Sequence, residues 1–375
     1  MLERASLYVD TNILHENVAK LKKITNSKEI IPMVKAHGYG HGAVDISKIL
    51  LQNDLKNLGV ASLSEALELR QNLSTPVEIF VFSDTQLDNP ESISFYKDFR
   101  ITPVISNPFD LDIFLNHSSF KNFPLVLKFN TGMNRLGLEV FEVESICRKI
   151  KEKGRASISH VMSHFACASQ DINIAHNQRQ IDSFSNLLKE IKSFGLDIEA
   201  TSLSNSGALE QETGLEYSHV RPGLMIYGPS SLIPGVKSVW DGRIISSLKA
   251  RVLQTRHVNK GDPIGYGLSP VSKDGLLIVV ALGYGDGFNN RYQKMSFSVT
   301  NQVGETSLLD VVGRVNMDMV QLLGTSDCRI KAGDMLTLWD DNPHTFQQFC
   351  QAAKTIPYEV FCQLSVRIPR VFKLP

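Results

Sequence analysis

A (β/α)8 barrel of the TIM type followed by a mostly-β domain is the fold that the chain predicts, and three observations carry it. Eight apolar runs alternate with amphipathic stretches: Ile30–Lys35, Leu58–Ser62, Val77–Ser83, Ile101–Ser106, Pro124–Asn130, Ile158–Phe165, Ile198–Ser204 and His219–Tyr227. Almost every run ends in a polar group, and in a barrel such ends converge on one face, where catalytic residues lie. After Pro234 the texture changes to strand-like runs separated by Gly, Asp and Asn, the spacing of an all-β module.

The elements follow in order. Leu14, Val18, Leu21 and Ile24 make a helical stripe before the first strand. Ile30–Lys35 is a short apolar run closed by a loop with three glycines, which reads as a buried parallel strand rather than a helix. Leu63–Arg70, Val140–Lys153 and Gln178–Phe194 carry helical patterns between later runs. A doubly wound open sheet competes, but it needs fewer strands and offers a Gly-x-Gly-x-x-Gly opening, absent here. Gly228–Gly235 reads as a linker. Beyond it, Ile244–His257, Leu276–Gly283, Phe297–Thr300, Ser307–Val315 and Met335–Trp339 read as strands, and Thr345–Lys354 as one helix. The domains expected are therefore 1–234 and 235–375.

Composition narrows the function. Lys+Arg and Asp+Glu both number 39, so the basic excess that a nucleic-acid partner requires is missing. The start, Met-Leu-Glu-Arg-Ala-Ser, lacks the apolar core of a signal peptide, and the longest aliphatic run, Leu276–Leu282, is too short to cross a bilayer. Five scattered cysteines without a Cys-x-x-Cys pair read as reduced thiols, with neither a disulfide frame nor a zinc site. A cytoplasmic protein with no metal, no membrane partner and no nucleic acid is the expectation.

Lys35 is the first chemical candidate. A lysine closing a buried strand keeps its stem in the core and its amine at the rim. Burial disfavours the ammonium and lowers its pKa, as a Schiff-base lysine needs. A surface lysine snorkelling from a strand is the alternative that spacing leaves open.

Val34-Lys-Ala-His-Gly-Tyr-Gly-His-Gly42 resembles the pyridoxal-phosphate signature of the alanine racemases. Thr131-Gly-Met-Asn-Arg135-Leu-Gly, Ser163-His164-Phe-Ala, Asn205-Ser206, Val220-Arg221-Pro-Gly-Leu-Met-Ile-Tyr-Gly228 and Gly313-Arg-Val-Asn-Met-Asp318 follow in the family's order. Gly265-Tyr266-Gly, Gly283-Tyr284-Gly-Asp-Gly287 and Ile356-Pro-Tyr358-Glu complete the set, so the resemblance spans nearly the whole chain.

The resemblance implies pyridoxal 5'-phosphate joined to Lys35 as an internal aldimine. Tyr39, Ser206, Tyr358 and the amides of Gly223 and Leu224 would hold its phosphate, with Asn205 beside them. Arg221, steadied by His164, would face the pyridine nitrogen; an arginine can only donate there, which weakens the ring as an electron sink. Racemisation needs a base on each face of the substrate, and the family's two map to Lys35 and Tyr266. The resemblance places Tyr266 on the partner subunit of a homodimer. Arg135 and the Met317 amide would meet the substrate carboxylate, while Tyr284 and Tyr358 would narrow the entrance around a methyl side chain. Asp318, Arg291 and Arg314 would line the approach.

Lys128 matches a lysine that some members carry as a carbamate. Three departures accompany these matches: Asn130 stands where Asp is common, Asn316 where Cys is frequent, and His37-Gly38 where Asn-Ala is usual. None removes a reacting group.

The function implied is interconversion of L- and D-alanine, supplying D-alanine for peptidoglycan. A racemase of broader amino-acid range is the alternative. Decarboxylation of basic amino acids would require other motifs, and a non-catalytic cofactor carrier would typically consist of the barrel alone. Borohydride reduction of the yellow holoprotein, followed by peptide mapping, should place a pyridoxyl group on Lys35; an adduct on another lysine would overturn the assignment.

Overall fold

The computed structural model describes residues 4–26 and 28–373. Eight parallel strands form the first ring: Glu29–Ile30, Asn57–Ser62, Glu78–Asp84, Thr102–Ile105, Val126–Asn130, His160–Met162, Thr201–Ser202 and His219–Val220. The second to the seventh pair in sequence order. The eighth pairs with the first, and Met33 bridges to Gly59 in the second. The Arg221 amide donates to the Ser204 carbonyl at 3.1 Å, joining the seventh and eighth strands and closing the ring. Ile31, Phe80, Phe82, Val104, Val126 and Met162 fill its interior as a cluster separate from the larger core beneath the helices.

Several expected runs are shorter than the sequence suggested: Ile158–Phe165 keeps only His160–Met162 in the ring, and Ile198–Ser204 only Thr201–Ser202. His219–Tyr227 is a strand only to Val220; Pro222 and Gly223 interrupt it, and Leu224–Tyr227 turns into a short helix. Lys35 is not the last strand residue but opens the helical segment Lys35–Tyr39.

The second ring is antiparallel. Gly275–Val280, Val320–Gly324, Thr306–Val312, Ser296–Thr300, Met335–Trp339 and Ser246–Val258 neighbour one another in that order. The 13-residue strand Ser246–Val258 closes it, pairing through Leu248–Arg251 with Met335–Trp339 and through Val252–Val258 with Gly275–Val280. Among the described residues, no helix is long and apolar enough to cross a membrane.

The expected first domain, 1–234, needs correction at its amino end. Ala5–Asp10 pairs antiparallel with Ser246–Ala250 and parallel with Arg370–Lys373, so it belongs to the second sheet. Ala5, Leu7 and Val9 bury themselves there, and only a partner 240 residues away could have revealed it. Asp10 then caps the first barrel helix, Thr11–Thr25, its carboxylate accepting from the amides of Asn12 and Ile13 at 3.0 and 3.3 Å. On that helix, buried Asn17 donates to the Ile226 and Arg243 carbonyls and accepts from the Arg243 amide, tying the linker down.

The two rings meet on the loop after Lys35. Ala36, His37, Gly38 and Tyr39 have φ of 51°, 55°, 62° and 51°, a left-handed turn that continues into Gly40 at 79°. Gly38 takes that backbone without strain, whereas Ala36, His37 and Tyr39 carry a Cβ in it. Gly40 packs so closely that a Cβ would lie 2.2 Å from the Phe361 carbonyl oxygen, while its own carbonyl accepts from Arg370 Nε at 2.8 Å. Gly40→Ala should therefore cost on the order of 2 kcal/mol or more, through both backbone strain and the lost approach of Phe361. Thermal melts would show a fall in Tm of several degrees; an unchanged melt would disprove this contact's importance.

Candidate active site

Strand ends and their following loops supply the site. Ser62 and Glu65 form a capping box at the start of helix Leu63–Asn72, and Glu65 does more than cap. Its Oε2 accepts from the Ala61 amide and its Oε1 from the Ala36 amide, each at 2.7 Å. The carboxylate thus orders the left-handed turn and lies near the Lys35 amine. Burial, followed by the positive field of Arg135, lowers the Lys35 pKa, while Glu65 and Cys362 oppose that shift.

Lys128 is buried on the fifth strand. Its pKa is lowered to about 8 by burial and then by Arg221, Arg135 and Lys35. Arg221, 4% exposed, donates to Ser202 Oγ and the Ser163 carbonyl, and lies 3.5 Å from His164 Nδ1. Burial lowers its pKa to about 9. His164 Nε2 lies 3.4 Å from Asn205 Nδ2, and burial and then Arg221 push the imidazole well below its usual value, so it is neutral. Arg135 is exposed at the mouth. Four cationic side chains therefore converge, with Glu65 the one carboxylate acting on Lys35 among the described residues, and that imbalance calls for anions.

An anion cradle lies beside them. Ser206 Oγ accepts from the Gly223 amide at 2.9 Å, and Gly223 opens the turn that continues through Leu224. A Cβ on Gly223 would lie 2.5 Å from the Tyr39 hydroxyl, so glycine is what lets backbone and phenol meet. Tyr39 stacks on Tyr227 at 4.8 Å and meets Tyr358 at 5.8 Å. Burial raises both phenols, Tyr358 to about 12, so each remains a proton donor. Hydroxyls and loop amides of this kind suit a phosphate, and the neighbouring amine suits an aldehyde; the residues fit pyridoxal 5'-phosphate.

Behind the cradle, His41 Nδ1 bonds the Tyr39 carbonyl and its Nε2 bonds Ser246 Oγ of the second sheet, both at 2.9 Å. Burial lowers it to about 3, leaving a neutral linker between the domains.

Three expected residues stand apart in the single chain. Tyr266 tips the hairpin of Pro263–Ile264 and Ser269–Pro270 and is 73% exposed. Tyr284 and Met317 are adjacent and half exposed, their loops joined by the Tyr284 amide to the Asn316 carbonyl and the Gly285 amide to the Met317 carbonyl, each at 2.9 Å. The departure at Asn130 has a local reason: its Nδ2 donates to Glu139 Oε1 at 3.1 Å and to Asn134 Oδ1 at 3.0 Å, while its Oδ1 accepts from the amides of Gly132 and Asn134. An aspartate there would face the Glu139 carboxylate without a proton to share. Sequence reasoning missed Glu65, Ser202 and His160; only Glu65 left a signal, in Ser62-x-x-Glu65 before a helical run.

A half-buried amine whose pKa is lowered, at the carboxyl end of a parallel barrel and beside an anion cradle, marks an enzyme that uses lysine against an anionic ligand. Comparison with known proteins makes the class particular. Residues 9–231 match the model of the alanine racemase N-terminal domain and 245–372 that of the C-terminal domain. The chain belongs to the alanine racemase family, and is an isomerase. It is 30% identical to the alanine racemase of Carboxydothermus hydrogenoformans over 373 residues, covering 96% of this chain and 97% of the relative. With that of Helicobacter pylori strain Shi470 it shares 32% identity, covering 99% and 100%. The alanine racemase structure from Acinetobacter baumannii superposes with a TM-score of 0.84 at 27% identity, covering 99% and 100%. The one from Bartonella henselae with covalently bound pyridoxal phosphate does so at 0.84 and 25%, with the same coverage.

The Lys128 environment yields a pH test. Its folded pKa, about 8, lies below that of an unfolded lysine, so the unfolded chain binds a proton that the folded chain does not between those values. The penalty is full below that interval and fades as pH rises through it. In cofactor-free protein kept free of carbon dioxide, Lys128→Met should raise Tm near pH 7, and the gain should shrink toward pH 10. A gain that stays constant with pH would refute the buried charge.

Proposed function

We propose that this chain is an alanine racemase that interconverts L- and D-alanine with pyridoxal 5'-phosphate, through one base on each face of the substrate. The observation that carries this reading is the Lys35 amine, with its lowered pKa, set beside the Tyr39–Ser206–Gly223 cradle. When bound, the cofactor supplies an aldehyde for amines and a ring that delocalises the electron pair left by the α-proton. Tyr39, Ser206, Tyr358 and the amides of Gly223 and Leu224 bind the phosphate. Arg221, braced by His164, would donate to the ring nitrogen, with Asn205 beside His164. Arg135 and the Met317 amide take the substrate carboxylate, and Tyr284 with Tyr358 limits the side chain to a methyl group.

Lys35 Nζ, its pKa lowered by burial, takes or returns a proton on one face. Tyr266 serves the other face from the second subunit of a homodimer, which agrees with its exposure in the single chain. Lys128 is suited to carbamylation: carbon dioxide adds to its free amine, a proton leaves, and an anion replaces a cation between Arg221 and Arg135. Five free cysteines accord with a reducing cytoplasm, where D-alanine would be made for peptidoglycan.

Subunit mixing tests the shared site. Lys35→Ala and Tyr266→Phe homodimers should each be nearly inactive, since every site lacks one base. Refolded together in equal amounts, about half the dimers are mixed, and each holds one site with both lesions and one with neither. Activity should recover to about a quarter of wild type. Properly mixed dimers without activity would place both bases in one chain.

A further inference from the structure

Arg221 is a buried cation, and among the described residues its hydrogen-bond partners are neutral. It donates to Ser202 Oγ and the Ser163 carbonyl, with the Leu203 carbonyl and His164 Nδ1 each at 3.5 Å. Neutral partners leave its charge whole, but they hold it less firmly than a carboxylate fork would. Among them, Ser202 is a rotor, because its hydroxyl hydrogen can turn toward the guanidinium or away from it. An arginine has no acceptor, so Ser202 Oγ must accept from Arg221. The hydroxyl hydrogen then needs another destination.

The nearest ring nitrogen is that of His160. Its Nε2 lies 2.7 Å from Ser202 Oγ, and both residues are buried inside the ring of strands, His160 at 3% exposure and Ser202 at none. Burial, then the neighbouring His219 and Arg221, holds the imidazole neutral. The His219 ring lies 4.9 Å away, its Nδ1 2.9 Å from Ser218 Oγ, and Phe80 meets the His160 ring edge-on at 6.3 Å. With the Ser202 hydrogen turned to His160 Nε2, the donors would run one way along the row, from Arg221 to Ser202 to His160.

We propose that His160 is a positioning residue for Arg221: its bare Nε2 accepts the Ser202 hydroxyl proton, turns the Ser202 oxygen toward the guanidinium, and so fixes the group that meets the cofactor ring. This rests on the reading above that Arg221 faces the ring nitrogen. A merely structural His160 would fill space and leave the Ser202 rotor unaffected.

Two measurements test it. In cofactor-free protein at neutral pH, nitrogen NMR of the histidine side chains should find the His160 proton on Nδ1, with Nε2 unprotonated and hydrogen-bonded. Ser202→Ala should move the Nε2 signal toward that of a free imidazole nitrogen. A proton on Nε2, or a charged ring, overturns the proposal. In the holoenzyme, His160→Phe keeps the ring but removes the acceptor. It should raise the ratio of transamination to racemisation about fivefold, the effect of one neutral hydrogen bond, and lower kcat with KM for alanine unchanged. His160→Gln, whose carbonyl can accept again, should restore most of the ratio.

An unchanged ratio in a His160→Phe enzyme of normal Tm overturns the proposal. If Arg221→Lys changes neither the ratio nor the cofactor's absorption band, the reading of Arg221 itself falls; if only the His160 variant is silent, that reading survives. Should His160→Phe fail to fold, the nitrogen spectra of wild type and Ser202→Ala decide alone.

Discussion

Four successive residues after Lys35 sit in the left-handed region, and three of them, Ala36, His37 and Tyr39, carry a Cβ. Such a turn costs about 1–2 kcal/mol per non-glycine residue. It persists because both domains hold it. Glu65 takes the Ala36 amide from the barrel side, while Arg370 takes the Gly40 carbonyl and Ser246 meets His41 from the other. The turn aims Lys35 and Tyr39 in fixed directions from one short segment, so amine and phenol address the same ligand. Were either domain to separate, the strain would lose its support and the site would lose its shape.

Electrostatics supply the second constraint. Lys35, Lys128, Arg135 and Arg221 lie close enough to shift one another or His164, and burial raises the cost of each charge. A cofactor phosphate and a substrate carboxylate would relieve part of that cost. So would a carbamate on Lys128. The same crowding keeps His164 neutral, able to accept from Arg221 rather than repel it. Affinity for anions and an easily deprotonated lysine thus have one physical origin.

A good part of this was legible beforehand. Eight apolar runs with polar ends announced a barrel and Lys35 stood out as the amine closing an apolar run, while Arg221, Ser206 and Gly223 were singled out by the family likeness. Glu65 could have been found from its capping box, but nothing nearby hinted that its second oxygen would reach the Ala36 amide. His160 and Ser202 looked like ordinary residues of two apolar runs, because the contact between them crosses 42 positions. Tyr266 too was legible only through the family likeness, since in one chain it is the exposed tip of a hairpin.

What the sequence by itself determined is whatever local periodicity and backbone chemistry can encode. That includes the alternation of strands and helices and the glycines that permit close approach, but not the exact end of the first strand, which stops before Lys35. The tertiary structure alone decided the rest, since it depends on partners distant along the chain. Ala5–Asp10 joined the second sheet rather than the first because strand pairing is chosen by edges that only folding brings together. Lys128 became a weaker base because folding buries it and then sets three cations from other strands and loops near it, and a desolvated charge responds to its neighbours in space rather than in sequence.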